Sequence, residues 1–361
     1  MTDVLFEPIH QPQFARLVVR KGRLPGWAPA LTAVVSLAAA CLVGIGLRWS
    51  PFAVVALAAA LHAAALPAWS AVVENSRAAV DRLATSLVWV ALAVALVPLV
   101  SLIQQVVALG AGQIDGEFLT WSMRNVIGSG GGIYHAVVGT VLITLAATAI
   151  SVPLGLLAAI YLVEYGGSSR TAAGLRFLVD VMTGIPSIVA GLFAYAVFAL
   201  VLGPGIHLGV GGSVALSLLM VPIVVRSSEE MLRLVPVELR EASYALGVPK
   251  WRTVVRVVLP AARAGIITGV TLAIARVVGE TAPLLIIAGA TDSVNTNLFG
   301  GQMESLPVFI YYSYTQPGLH PEYAQGHAWG AALVLIAIVV LLNLAARALG
   351  RLPALRVHRR R

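Results

Sequence analysis

Residues Ala136 to Val163 read AVVGTVLITLAATAISVPLGLLAAIYLV, without one acidic or basic side chain. At a rise of about 1.5 Å per residue, a helix of this length crosses about 30 Å of hydrocarbon with room to tilt. The run is too long and too evenly apolar for a single strand. In lipid every backbone N–H and C=O must be bonded within the element, which a helix achieves alone.

Seven further blocks repeat the pattern: Ala28 to Leu47, Pro51 to Val73, Leu83 to Leu109, Phe177 to Leu202, Ser213 to Val225, Ala264 to Ala290 and Ala328 to Ala346. With 59% hydrophobic and 11% charged residues, the chain departs from soluble composition in the direction of membrane proteins. The expected fold is all-α, a polytopic transmembrane helical bundle with a six-span core and an N-terminal two-helix hairpin. Ser213 to Val225 is short for a span, so it must draw in part of Arg226 to Leu234 or cross where protein surrounds it. The first block follows Arg16, Arg20, Lys21 and Arg23 as an export signal would, but a second span follows at once, and a retained hairpin is expected. The single cysteine, Cys41, excludes an intrachain disulfide or a thiolate metal cluster, and is expected to be a small buried apolar side chain.

Alternating eight spans with the N-terminus inside puts 21 of the 24 Lys and Arg residues on the cytoplasmic side, leaving Arg48 and Arg124 outside and Arg276 within a span. Both termini are therefore expected in the cytoplasm, in a multi-pass protein of the cell membrane. The net charge of +8 then reflects loops facing anionic lipid, and nucleic acid is not an expected partner because the basic residues form no patch beside aromatics. The boundaries expected are a cytoplasmic tail at 1–26, the hairpin at 27–74, a core at 75–350 containing a loop at 226–263, and a basic tail at 351–361. Gly110 to His135 and Thr291 to His327 are outward segments and candidate docking surfaces. Within the second, Leu306 to Tyr314 reads as a short helix able to lie along the interface.

The inward loop between Val225 and Ala264 is charged yet carries two helical patterns. Pro236 can open the first at its N1 position, Leu239, Ala242 and Leu246 repeat at helical spacing, and Gly247 supplies the stop. Pro249 restarts the chain, Trp251, Val254, Val255 and Val258 fall on one face, and Pro260 turns it toward the next span. Glu241-Ala242-Ser243, Gly247, Val257, Leu259 and Pro260 resemble, at the same spacing, the E-A-A-x-x-x-G-x9-I-x-L-P loop of permeases of binding-protein-dependent ABC importers. Ser243 stands for the usual second Ala and Val257 for the usual Ile. The resemblance implies that this loop is a coupling helix seated in a cytosolic ATPase, with Glu241, Ala242 and Gly247 at the contact and Leu259 and Pro260 completing the motif.

Neither Lys21 nor Lys250 stands in a phosphate-cradling P-loop, so the energy must come from a partner. No cofactor is expected in this chain, ATP and Mg being bound by the partner ATPase. The glycine run Gly128 to Gly132 lacks a lysine and reads as a tight turn into the next span, with an anion nest as the lesser reading.

Arg276 and Glu280 are the unusual residues within a span, where a central charge costs roughly 2.5–3.5 kcal/mol on insertion scales. Their i, i+4 spacing lets them pair on one helix face. Two readings stand side by side: a structural pair, or an Arg276 fork that binds an oxyanion while Glu280 limits how tightly it is held. Arg226 would be the next guanidinium on such a route. Ala275 to Leu285 and Gly184 to Leu192 are similar to the corresponding segments of PstA-type phosphate permeases, a resemblance that runs from about Leu83 to Arg347 and leaves the hairpin outside it. Ser187 and Thr281, in those segments, join the expected pathway, and Gly184 and Pro186 predict a kinked helix beside it.

The resemblance implies a non-catalytic permease that moves inorganic phosphate by alternating access. The implied partners are a second, related permease, a cytosolic ATPase dimer, an external phosphate-binding protein and membrane lipid. Another oxyanion, molybdate or sulfate, is the alternative substrate, and a nucleotide-independent channel or carrier is the alternative class. Glu164, Asp180, His62, His135, His207, His320 and His327 form no metal spacing and read as boundary or packing residues.

Overall fold

A computed structural model describes residues 22–351, which form α-helices with short 3-10 and π turns. Arg16, Arg20, Lys21 and the terminal Arg359, Arg360 and Arg361 lie outside the described residues. Among those described, seven helices are long and apolar enough to cross a membrane, and a sharply bent pair brings the number to as many as eight. Contacts divide the chain into two units, Met1–Ile103 and Gln104–Arg361.

In the first unit α1 (Ala28–Leu47) and α2 (Pro51–Val73) form the expected hairpin. The buried residues of α1, Ala28, Thr32, Ser36, Ala40 and Gly44, recur every fourth position, a stripe of small side chains that lets α2 approach closely. The Ser50 hydroxyl caps α2 by accepting the Ala53 N–H at 3.3 Å, with Pro51 at the first helical position. Cys41 falls beside this stripe and is exposed, not buried as expected, because the one face α1 buries is already filled by smaller residues.

Between α2 and α3 (Ser76–Gly110), Glu74 is the focus of four bonds. Its carboxylate accepts the Leu24 N–H at 2.9 Å, the Ser70 hydroxyl at 2.5 Å and two Arg82 guanidinium N–H groups at 3.0 Å. The Arg82 guanidinium foremost, then Ser70 and Leu24, hold its pKa down from 4.5 to about 2. A carboxylate depressed on folding stabilises fully above its unfolded value and loses that contribution as pH falls from 4.5 toward 2. The melting temperature of the purified protein is therefore expected to drop through that window, and to drop less steeply in Glu74→Gln. Equal slopes would show that Glu74 does not tie the hairpin to α3.

In the second unit a 3-10 turn (Ala111–Gln113) and α4 (Gly116–Thr120) precede α5 (Tyr134–Ile160), which ends in a π turn (Tyr161–Tyr165). α6 (Arg170–Thr183) and α7 (Ser187–Leu202) follow, then α8 (Gly209–Arg233). The elbow is α9 (Val237–Ala245) and α10 (Lys250–Thr253), the latter passing through a second π turn (Val254–Val258) into α11 (Leu259–Val278). α12 (Ala282–Ile287), α13 (Leu306–Thr315) and α14 (Pro321–Arg351) complete it.

The short Ser213 to Val225 block is explained on both counts foreseen. α8 extends to Arg233, and it is the most deeply enclosed of the membrane helices, with 61% of its apolar window buried by protein. Ser213 and Ser217 face α5 and hydrogen-bond to the Ile143 and Ala147 carbonyls at 3.1 and 3.4 Å, so polar residues are tolerated there. Around them Ile143, Ala147, Leu216, Met220, Val224 and Ala273 form the main core. Leu306 to Thr315 is helical, but its first turn is sunk in a second core with Phe118, Ile133 and Ala331 instead of lying along an interface. The glycine run turns as expected, Gly128, Gly130 and Gly131 having positive φ.

Three expected features of helix continuity are corrected. Phe177 to Leu202 bends where Gly184 and Pro186 predict, but as a 107° break between two helices and not as a kink within one. Ala264 to Ala290 is interrupted after Val278, so Glu280 lies beyond the helix that carries Arg276. Pro260 does not turn the chain: Lys250–Val278 is one unbroken 29-residue path. The π turn makes this possible, because Leu259 N–H bonds to the Val254 carbonyl five residues back, and the displaced ladder accommodates a residue with no N–H to give.

Candidate functional site

The two breaks in helix continuity meet. Gly191, in the first turns of α7, packs so closely on α12 that an added Cβ would lie 2.6 Å from Pro283 Cα. This contact sets the α6–α7 break beside the α11–α12 break. Between them opens a cleft of about 260 Å³, lined by Thr183, Pro186 and Ser187, by Leu219, Pro222 and Ile223 of α8, and by Arg276 and Glu280.

Each polar wall has a local cause. Pro186 fixes an extended backbone at the N-cap of α7 and starts the helix at Ser187, so the positive end of that helix faces the cleft. α11 ends at Gly279, which places Arg276 in its last turn, where a cation complements the helix dipole. Arg276 is exposed and makes no ion pair among the described residues, and it does not pair with Glu280. An unpaired guanidinium, a helix N-terminus and one carboxylate thus share a small water-accessible space that suits a compact anion able to leave again.

Of the expected pathway residues, Arg276, Glu280 and Ser187 line this cleft. Thr281 instead occupies the N-cap position of α12. Arg226 is held by Asp180 in an ion pair between α8 and α6. Asp180, expected to be a packing residue, therefore fixes a guanidinium below the α6–α7 break.

The elbow has the expected hinge, with Gly247 at φ +74, a left-handed conformation that favours glycine. Pro236 is the N-cap of α9 and Val237 its first residue, one position later than expected. Glu241, Ala242 and Gly247 are exposed and available to a partner, whereas Leu259 packs on the buried cluster of Ala159, Leu232 and Val258. The face expected from Trp251, Val254, Val255 and Val258 splits. Val254 and Val258 are buried, but Trp251 and Val255 are 58% and 54% exposed, because the wider π turn shifts the register by which 3.6-residue spacing was read.

The elbow is anchored by residues that sequence spacing did not single out as a set. Arg240 of α9 reaches Glu164 in the α5 π turn at 2.9 Å, and donates to the Leu232 and Val235 carbonyls at 2.9 and 2.6 Å. Ser243 and Thr253 bond at 2.8 Å across the hinge, so the serine that replaces the usual alanine ties α9 to α10. Glu229 joins Arg233 at 2.5 Å and Arg176 at 3.5 Å. On the opposite side of this unit His135 and Glu304, both buried, meet at 3.2 Å; burial pushes the Glu304 carboxyl up, against the pull of His135.

Known proteins similar to this chain are transport-system membrane components or transporters. Residues 151–359 match the family model described as binding-protein-dependent transport system inner membrane component. The phosphate transport system permease protein PstA 1 of Mycobacterium tuberculosis is 48% identical over 269 residues, 74% of this chain and 87% of that protein. PstA of Yersinia pestis is 46% identical over 220 residues, 61% of this chain and 72% of that protein. Among solved structures, an inward-facing MetNI methionine ABC transporter is similar with a TM-score of 0.47 and 21% identity, covering 61% of this chain and 93% of that one. By its family match and its relatives, the chain belongs to the inner-membrane components of binding-protein-dependent ABC transport systems, as a permease of the PstA type.

Proposed function

We propose that this multi-pass membrane protein is the permease subunit of an ATP-driven importer of inorganic phosphate, with both termini in the cytoplasm. One observation carries the mechanism: the hinge of the elbow and Arg276 stand near opposite ends of the single helical path Lys250–Val278. At about 1.5 Å per residue that path is about 43 Å long, so a push on α9 and α10 reaches the cleft as movement of one stiff element. The ATPase of the family supplies the push, ATP and Mg acting there and not in this chain. An external binding protein delivers phosphate, and a second, related permease forms the other half of the pathway. Glu280 adds discrimination, since hydrogen phosphate carries an O–H that a carboxylate can accept, whereas sulfate and molybdate at neutral pH carry none.

Uptake of labelled phosphate into proteoliposomes carrying the whole complex tests this reading. Arg276→Ala is expected to lower ATP-dependent uptake at least about tenfold, the loss of charge-assisted hydrogen bonds worth roughly 1.5–3 kcal/mol each. Unchanged uptake would remove Arg276 from the pathway. Uptake that persists without nucleotide would replace the importer with a channel or carrier, and preferred uptake of sulfate or molybdate would move the substrate to another oxyanion.

A further inference from the structure

The N-terminal unit contains a groove of about 490 Å³ that the transport reading does not use, formed by the start of α1, the inner half of α2 and the first turns of α3. Its charges do not balance internally in the way their number suggests. Glu74 and Arg82 are spent on each other, Glu74 further engaged by Ser70 and Leu24. Arg23 and Asp81 line the same groove and form no ion pair among the described residues, leaving one cation and one anion open. Beside them Ser86 is 1% exposed, and its hydroxyl has no hydrogen-bond partner. A buried hydroxyl without a partner marks a place where a polar atom is missing.

A free phosphate would satisfy Arg23 and be repelled by Asp81, and a metal cation would do the reverse. A zwitterion with a phosphate and an ammonium satisfies both, and its ester oxygens can accept from Ser86. Deeper along α2 and α3 the groove is lined by Leu66 and the exposed ring of Trp89, with His62, one turn past Leu66, already bonded to Thr32 at 3.1 Å. Only 6% of the apolar window of each of these two helices is buried, so the groove opens toward lipid. We propose that this groove binds a single phospholipid with a primary-ammonium headgroup, phosphate on Arg23, ammonium on Asp81 and an acyl chain along Trp89.

The full complex, extracted from membranes and washed in detergent, is analysed by native mass spectrometry for retained lipid, and exchanged into nanodiscs of phosphatidylethanolamine or phosphatidylcholine. The wild type is expected to retain phosphatidylethanolamine, and to prefer it to the trimethylated headgroup, which cannot donate to Asp81. Asp81→Asn and Arg23→Gln are each expected to retain about tenfold less, the loss of one charge-assisted bond. Ser86→Ala, which removes no charge and leaves packing intact, checks the same site with a smaller loss in the same direction. Wild type without bound lipid, equal retention by all variants, equal affinity for both headgroups, or a protein chain on this face in place of lipid would each overturn the proposal.

Discussion

Arg240→Ala is expected to separate ATP hydrolysis from transport. Arg240 of α9 bonds Glu164 in the π turn after α5, and the Leu232 and Val235 carbonyls in and just after the last turn of α8. The Glu164 side chain is 4% exposed, so truncating its partner leaves a buried carboxylate uncompensated, a change that costs about 3–5 kcal/mol. α9 has nine residues and exposes Leu239, Ala242 and Glu241, so without this tether its hold on the bundle falls mainly to the Ser243–Thr253 bond. The complex is expected to hydrolyse ATP while phosphate uptake falls more than about tenfold. A double-mutant cycle separates tether from burial: Glu164→Gln added to Arg240→Ala should recover melting temperature, because the stranded charge is gone, but not uptake. Recovery of neither would mean that Arg240 acts through the carbonyls alone, and full uptake in the single variant would refute the tether.

The positions of the helices are readable from sequence because lipid admits so few alternatives. α1 and α2 have the same ends as the apolar blocks Ala28 to Leu47 and Pro51 to Val73, each bounded by turn or capping residues. Where helices stop inside apolar runs is another matter. Hydropathy is blind to Gly279, and only its position four residues before Pro283 hints that Arg276 and Glu280 belong to different elements. The elbow motif is local, so Gly247 and the exposed Glu241 and Ala242 stand where spacing puts them. The π turn at Val254–Val258 shifts the register of the next turn, and no 3.6-residue template anticipates it.

Charged pairs between distant segments are the least readable. Glu164 and Arg240 are 76 residues apart, and Arg226 looks like a free guanidinium until α6 folds back to bring Asp180 against it. Single acidic residues at span boundaries carry no mark of the partner they will meet. Burial of Glu164 and Glu229 requires that each be matched by a cation, and that burial shows only once the chain is folded.

Gly139→Ala should have the largest effect on folding of any single added methyl group on α5. Gly139 lies on α5 where the chain between α12 and α13 crosses it, and a Cβ there would sit 1.9 Å from the Glu304 carbonyl oxygen. That backbone cannot yield: Met303 N–H is bonded to the Ala288 carbonyl at 3.0 Å, Leu306 N–H to the Thr140 hydroxyl at 2.8 Å, and the Glu304 side chain to His135. Overpacking against pinned backbone is expected to cost about 3 kcal/mol or more, read as a fall in melting temperature and in the yield of assembled complex. Gly174→Ala is the control, because this glycine lies exposed on α6 with nothing within 4 Å of an added Cβ, and there alanine should stabilise by about 0.5–1 kcal/mol. Opposite signs for the same chemical change would tie the loss to the crossing. Equal small effects would mean that the segment before α13 is not held against α5. Because that segment is bonded to Ala288, at the end of α12, the clash should also loosen the short helix that follows Glu280 before any charged residue is touched.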